Sequence, residues 1–265
     1  MNRKKIIIAI IGILIILVFA LFMRTPYWTA LTKSKDNFIE NANNKRVLYE
    51  SGAKEYADKI ADYLPIAIEI IEEKQFKPFP KDFRIYVCNT QKSHNEFLAD
   101  PSLYLIRGSV LKGDILISPS AFNFEGRDTH KETLKHELSH LHFRQQLGFF
   151  KDRKIPQWFR EGFADYVAGS SGEGVEENEA ISFMMNGRHF ILQEEGDIFG
   201  SFRKALNGLS GPIFHQQVKL FVTFLAESDS LKFKSFLLKI QKGESFNKSF
   251  TVVFESDIQG KSYAG

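Results

Sequence analysis

A single cysteine, Cys88, stands in a chain of 265 residues. That excludes an intramolecular disulfide and any zinc site built from several cysteines. Charge of one sign is lacking too: 35 Lys and Arg face 32 Asp and Glu, a formal net charge of +3. Much of that excess sits in Arg3, Lys4, Lys5 and Arg24. The remainder is near neutral and offers nucleic acid no basic face. Internal repeats and low-complexity segments are missing, and the 26 Phe are scattered as core positions would be. Long apolar runs are missing as well, with one exception.

The exception is residues 6–23, an unbroken apolar run preceded by Arg3, Lys4 and Lys5. As a helix it would be about 27 Å long, close to the hydrocarbon thickness of a bilayer. Val18-Phe19-Ala20 offers a signal-peptide cleavage site, but the run continues through Leu21, Phe22 and Met23. An uncleaved signal anchor therefore fits better than a cleaved leader, and a buried core helix fits worst. So short an N-terminal flank places residues 1–5 in the cytoplasm and the bulk of the chain outside it, on a single-pass membrane protein. The expected order is a cytoplasmic flank at 1–5, a transmembrane span at 6–23, a linker at 24–46 and one folded domain at 47–265.

Within that domain, 54–73 has helical spacing, with Tyr56, Ile60, Tyr63, Leu64, Ala67 and Ile71 on one face and a kink expected at Pro65. Segments 82–89 and 108–119 read as strands, and Cys88 as a core residue of the first. From residue 128 onward the pattern is mainly helical. The fold class is α+β: a small α/β lobe, then a helical lobe.

The chemistry concentrates in two segments. His136-Glu137-Leu138-Ser139-His140 is an H-E-x-x-H pattern. Residues four apart share a helix face, so His136 and His140 can grip one Zn²⁺, with Glu137 placed to act on a water as general base. Thr129 and Glu132 read as a capping box opening that helix, Leu134, Leu138 and Leu141 as its core stripe, and Gly148 as its C-cap. The second segment runs from Pro156 to Tyr166. Pro156 can open another helix, which Trp158, Phe159 and Phe163 would pack into the core. Glu161 is the candidate third metal ligand, and Gly162 beside it permits close approach of backbone to the site. Asp165, four residues on, can accept the spare N–H of a ligating histidine.

These segments resemble the gluzincin metallopeptidases, in which a glutamate on a following helix completes the H-E-x-x-H zinc site. Pro156, Trp158, Glu161, Gly162, Ala164 and Tyr166 match the string proline-x-tryptophan-x-x-glutamate-glycine-x-alanine-x-tyrosine common in small peptidase-MA-like bacterial domains. Asp165 is similar to the aspartate that orients a zinc-bound histidine in thermolysin. The twenty residues between His140 and Glu161 exceed the usual spacing slightly, and an insertion at 148–154 would absorb the difference.

The resemblance implies a thermolysin-like zincin with Zn²⁺ in a cleft between the lobes and a peptide or protein substrate. His215 falls where these domains tend to carry a tyrosine before a glutamine, which implies an oxyanion donor; Tyr166 and His189 are weaker candidates. The aminopeptidase branch's glycine-alanine-methionine-glutamate-asparagine strand is lacking, so an endopeptidase is implied over an aminopeptidase. In the family an extended substrate pairs with a sheet edge, and 114–118 is the candidate strand here. The alternatives are a non-catalytic zinc-binding or regulatory protein of the same fold, and a hydrolase of another amide such as a cell-wall peptide. His130 and His142, off the ligand face, read as surface residues, and His94 carries no signal.

Overall fold

Alternating apolar residues build a small sheet first. The computed structural model describes residues 32–98, 106–171, 174–197 and 202–255, with isolated positions before 32. The expected membrane span at 6–23 lies outside them apart from such positions, and no helix among the described residues is long and apolar enough to cross a membrane. The strands are β1 (Ile39–Glu40), β2 (Val47–Tyr49), β3 (Ile85–Val87), β4 (Gly108–Leu111) and β5 (Asp114–Ile117), in spatial order β1-β2-β3-β5-β4. The pairs β2–β3 and β3–β5 are parallel, while β1 and β4 are antiparallel edges.

Successive side chains of a strand point to opposite faces. Val47, Ile85, Val87, Ile115 and Ile117 therefore join the main core, while Leu48, Tyr86, Cys88 and Leu116 form a smaller cluster with Phe97 on the other face. Residues expected to be linker close that second face. Phe38 meets the Tyr86 ring edge-on at 5.0 Å, Lys33 Nζ reaches Glu96 at 2.6 Å, and Lys35 Nζ reaches Asp114 at 2.9 Å. Burial pushes the Cys88 thiol up to about 12, with Glu50 adding to it, so the thiol stays protonated.

The helices follow: α1 (Lys54–Gln75), α2 (Gln91–Leu98), α3 (His130–Leu147), α4 (Phe149–Arg153), α5 (Gln157–Ala168), α6 (Glu177–Met185), α7 (Phe202–Leu206), α8 (Gly211–Ser228), α9 (Ser230–Gln241) and α10 (Phe246–Phe254). The fold is α+β, a five-stranded sheet followed by a helical region. Helix α1 runs on through Pro65. The stretch 108–119 is a hairpin rather than one strand. Its turn uses Lys112 (φ 53°) and Gly113 (φ 91°), two consecutive left-handed residues that suit a tight hairpin turn.

Helix α3 starts after Thr129, but not through a capping box. The Thr129 hydroxyl donates to the Ala121 carbonyl at 3.0 Å, and Asp128 Oδ1 accepts from the His130 N–H at 3.3 Å. Gly148 ends it with φ 73°. Within 148–154, where an insertion was expected, residues Phe149–Arg153 form the one-turn helix α4. Helix α5 packs on α3 and α8, and Trp158, Phe159 and Phe163 are fully buried. Burying each such ring contributes roughly 1.5–3 kcal/mol.

Two histidines expected on the surface lie inside. His142 is fully buried, its Nε2 2.9 Å from the Lys77 carbonyl, and His130 is buried with its ring stacked on Phe122. His94, which gave no signal, is also fully buried. The reason is what faces each ring: Phe79 meets the His142 ring edge-on beside the Lys77 carbonyl, and Phe122 covers the His130 ring beside Asp128.

Burial holds His94 at about 4, below the ordinary 6.5. The unfolded chain then takes up this proton before the folded one does. The contribution of His94 to stability is full above pH 6.5 and falls as the pH drops toward 4, by on the order of 3 kcal/mol. Denaturation midpoints of wild type and His94→Leu, compared at pH 7.5 and 4.5, should diverge, with wild type losing more. Equal losses would remove His94 from the account.

Candidate metal centre

Helix α3 places His136 and His140 one turn apart on the face turned toward α5, and α5 places Glu161 opposite them. The contacts are His136 Nε2 to His140 Nε2 at 3.0 Å, His140 Nε2 to Glu161 Oε2 at 3.2 Å, and His136 Nε2 to Glu161 Oε2 at 3.4 Å. Ligands about 2.0–2.1 Å from a tetrahedral ion stand about 3.3 Å apart, so the triangle has the size that zinc requires. Among the described residues this is the one such group of three metal-ligating side chains.

Proton bookkeeping makes the same point. His136 Nδ1 lies 2.9 Å from Asp165 Oδ1. A carboxylate only accepts, so Nδ1 carries the hydrogen and Nε2 presents a lone pair to the triangle. His140 Nε2 and Glu161 Oε2 turn the same way, so without a hydrogen on His140 Nε2 three lone pairs would meet. A proton or a metal ion has to lie between them. Burial works against a charged His136, but Asp165 outweighs it and holds the imidazole well above its usual range. Burial also works against ionised Glu161, yet His140 and His136 hold it well below the carboxylate range. All three candidate ligands are half-buried, which leaves a face of the triangle toward solvent.

Glu137 is buried, and burial raises its carboxyl above the ordinary value even though His136 and His140 pull the other way. Its neighbour is a glycine that the sequence did not single out. A Cβ on Gly108, the first residue of β4, would lie 2.6 Å from Glu137 Cγ and 3.1 Å from Oε1. The sheet edge and the side chain can approach only because that position has no side chain.

Asp165 also serves His215, whose Nδ1 lies 2.8 Å from Oδ2. Burial disfavours the charged ring of His215, but Asp165 overrides it and the pKa ends raised. The ring centroids of His136 and His215 are 6.1 Å apart, so His215 borders the cluster. The weaker candidates do not. Tyr166 turns away to pack on Phe163, Phe233 and Lys74, and exposed His189 faces the Phe190 carbonyl at 3.0 Å.

Gly162 has a different role from the one expected. Its missing side chain admits α8, not the site: a Cβ there would stand 2.5 Å from the Val218 carbonyl oxygen. Sequence reading also passed over Gln157 and Arg160. Gln157 Nε2 donates to Glu161 Oε1, and Arg160 Nη2 donates to Gln157 Oε1. The spacing of Gln157 and Glu161, four apart on a helix, was the available signal.

No protein-family model matches the chain, and no curated protein matches it. The site's own chemistry therefore carries the functional reading.

A site of this kind competes for metal against protons. Because His136 is held above 6.5, protons displace the metal from a higher pH than a free imidazole would allow. Zinc affinity measured against a chelator should begin to fall above pH 6.5. Asp165→Asn should weaken it about 10- to 100-fold at pH 8 and move the onset of the fall to lower pH. An unchanged onset in the variant would show that Asp165 does not set the His136 proton.

Proposed function

We propose that the chain is a zinc-dependent peptidase, of endopeptidase type, in which His136, His140 and Glu161 hold the metal. The observation that carries this reading is the half-buried meeting of His136 Nε2, His140 Nε2 and Glu161 Oε2 at zinc-ligand spacing, with a carboxyl of raised pKa next to His136 in the chain. The residues fit zinc rather than calcium or magnesium, since two of three donors are imidazole nitrogens and those ions prefer oxygen. Bound there, zinc would supply a Lewis acid that polarises a peptide carbonyl and makes a water more acidic.

The chain's own groups do the rest. Glu137 takes a proton from the attacking water and passes it to the leaving amine. Its raised pKa suits both halves of that task. His215, oriented by Asp165 and with its pKa raised, donates a hydrogen bond in its protonated form to the oxygen that gains negative charge. His136 keeps its tautomer because Asp165 holds the Nδ1 hydrogen.

The strand expected to pair with substrate needs correction. Segment 114–118 contains β5, which has β3 on one side and β4 on the other and no free row of backbone groups. Of the two sheet edges, β4 is the one near the site, and it begins at Gly108 beside Glu137. An extended peptide added antiparallel or parallel to β4 would run past the general base. The run at 6–23 extends the proposal to a membrane-anchored enzyme whose domain faces away from the cytoplasm.

Glu137→Gln should retain one zinc per chain and lose about 10²- to 10⁴-fold in turnover of a peptide substrate. Gly108→Ala should also keep zinc while lowering turnover, because its methyl group would displace the Glu137 side chain. Full activity in Glu137→Gln would rule out the general-base role. Absence of zinc from a folded wild-type chain would overturn the proposal as a whole.

A further inference from the structure

We infer that Gln157 is a positioning residue for the metal ligand Glu161, held in place by Arg160 and Asp152, and that it keeps this carboxylate bound through one oxygen. The inference rests on the metal-site reading above and goes beyond it. Gln157, Arg160 and Glu161 occupy the first turn of α5 at three- and four-residue spacing, so their side chains share one face. The Gln157 carboxamide donates to Glu161 Oε1 and accepts from Arg160 Nη2. A guanidinium only donates and a carboxylate only accepts. Only one orientation of the amide satisfies both, so Arg160 fixes which end of Gln157 faces Glu161.

Arg160 is fixed in turn. Its Nη1 lies 3.6 Å from Asp152 Oδ2, an atom that also takes Arg144 Nε at 3.2 Å. Asp152 and Arg160 are both buried. The one-turn helix α4, which lengthens the gap between His140 and Glu161, is what delivers Asp152. The relay therefore runs from α4 through α5 to the ligand.

The two oxygens of Glu161 have different tasks. Oε2 stands 3.2 and 3.4 Å from the imidazole nitrogens and is the ligand atom. Oε1 spends a lone pair on Gln157, whose carboxamide holds it away from the imidazole nitrogens. A carboxylate free to rotate would bind through both oxygens and take up a coordination position that a zinc hydrolase keeps for water and substrate. Gln157 thus protects the open position, a task that neither metal ligand nor general base performs.

The test is Gln157→Leu, of similar size and unable to donate, in the full chain. Zinc affinity by chelator competition should fall about 10- to 100-fold. With cobalt(II) in place of zinc, the visible d–d absorption should drop several-fold as coordination rises from four toward five. Arg160→Leu should weaken zinc binding in the wild type and add little in the Gln157→Leu background, since both act through one contact. Additive losses would cut Arg160 from the relay. If the leucine variant does not fold, Gln157→Glu serves the same purpose, because it repels Glu161 and cannot donate at neutral pH. An affinity within about twofold of wild type together with an unchanged cobalt spectrum would overturn the inference alone. A folded wild type that binds no metal would overturn this inference and the peptidase reading together.

Discussion

His136 Nε2, His140 Nε2 and Glu161 Oε2 lie within 3.4 Å of one another, and their lone pairs repel unless a proton or a cation joins them. Everything around the site bears on that constraint. An isolated pair of helices would relieve it by turning one side chain away. Here the side chains are not free to turn: Asp165 ties His136, and Gln157 ties Glu161. The fold therefore holds an arrangement that a metal relieves. Were a metal held there, stability would be linked to it, since the unfolded chain has no comparable site.

Glycines set how closely the parts can approach. Gly162 lets α5 lie against the Val218 carbonyl on one side, and Gly108 lets the β4 edge lie against Glu137 on the other. The buried aromatic side chains of α5, Trp158, Phe159 and Phe163, then hold that helix by packing alone. Close backbone contact and tight ring packing together leave little room for adjustment, as expected for an interior at crystal-like density.

The parts of the site that were legible in the sequence are those set by helical spacing. His136 to His140 and Glu161 to Asp165 are steps of four, and a helix turns any such step into a shared face. Their two helices were legible because apolar stripes flank them. What depends on contacts distant in sequence was not legible. Gly108 meets Glu137 through the packing of a sheet on a helix, which no local pattern announces. His215 was placed by resemblance, but its partner Asp165 lies 50 residues away in sequence. Strands β1 and β2 have two and three residues, too few for alternation to register. The β4–β5 turn uses Lys112 where Asn or Asp would have been a signal, so a hairpin read as one strand and its edge was assigned to the wrong half.

One carboxylate serving two histidines has a mechanical consequence. Asp165 spends Oδ1 on His136 from α3 and Oδ2 on His215 from α8. A shift of α8 relative to α5 would pull on the metal ligand as well as on the donor. The Gly162–Val218 approach opposes such a shift, because it sits at the same crossing, one residue from Glu161. The ligand set and His215 thus form a unit that moves together or not at all. The other wall differs: among the described residues β4 pairs on one side only, with β5, and Glu137 lies buried against Gly108. On the peptidase reading that division is chemically apt: the groups that would fix charge are tied down, and the group that would carry the proton lies beside the sheet edge.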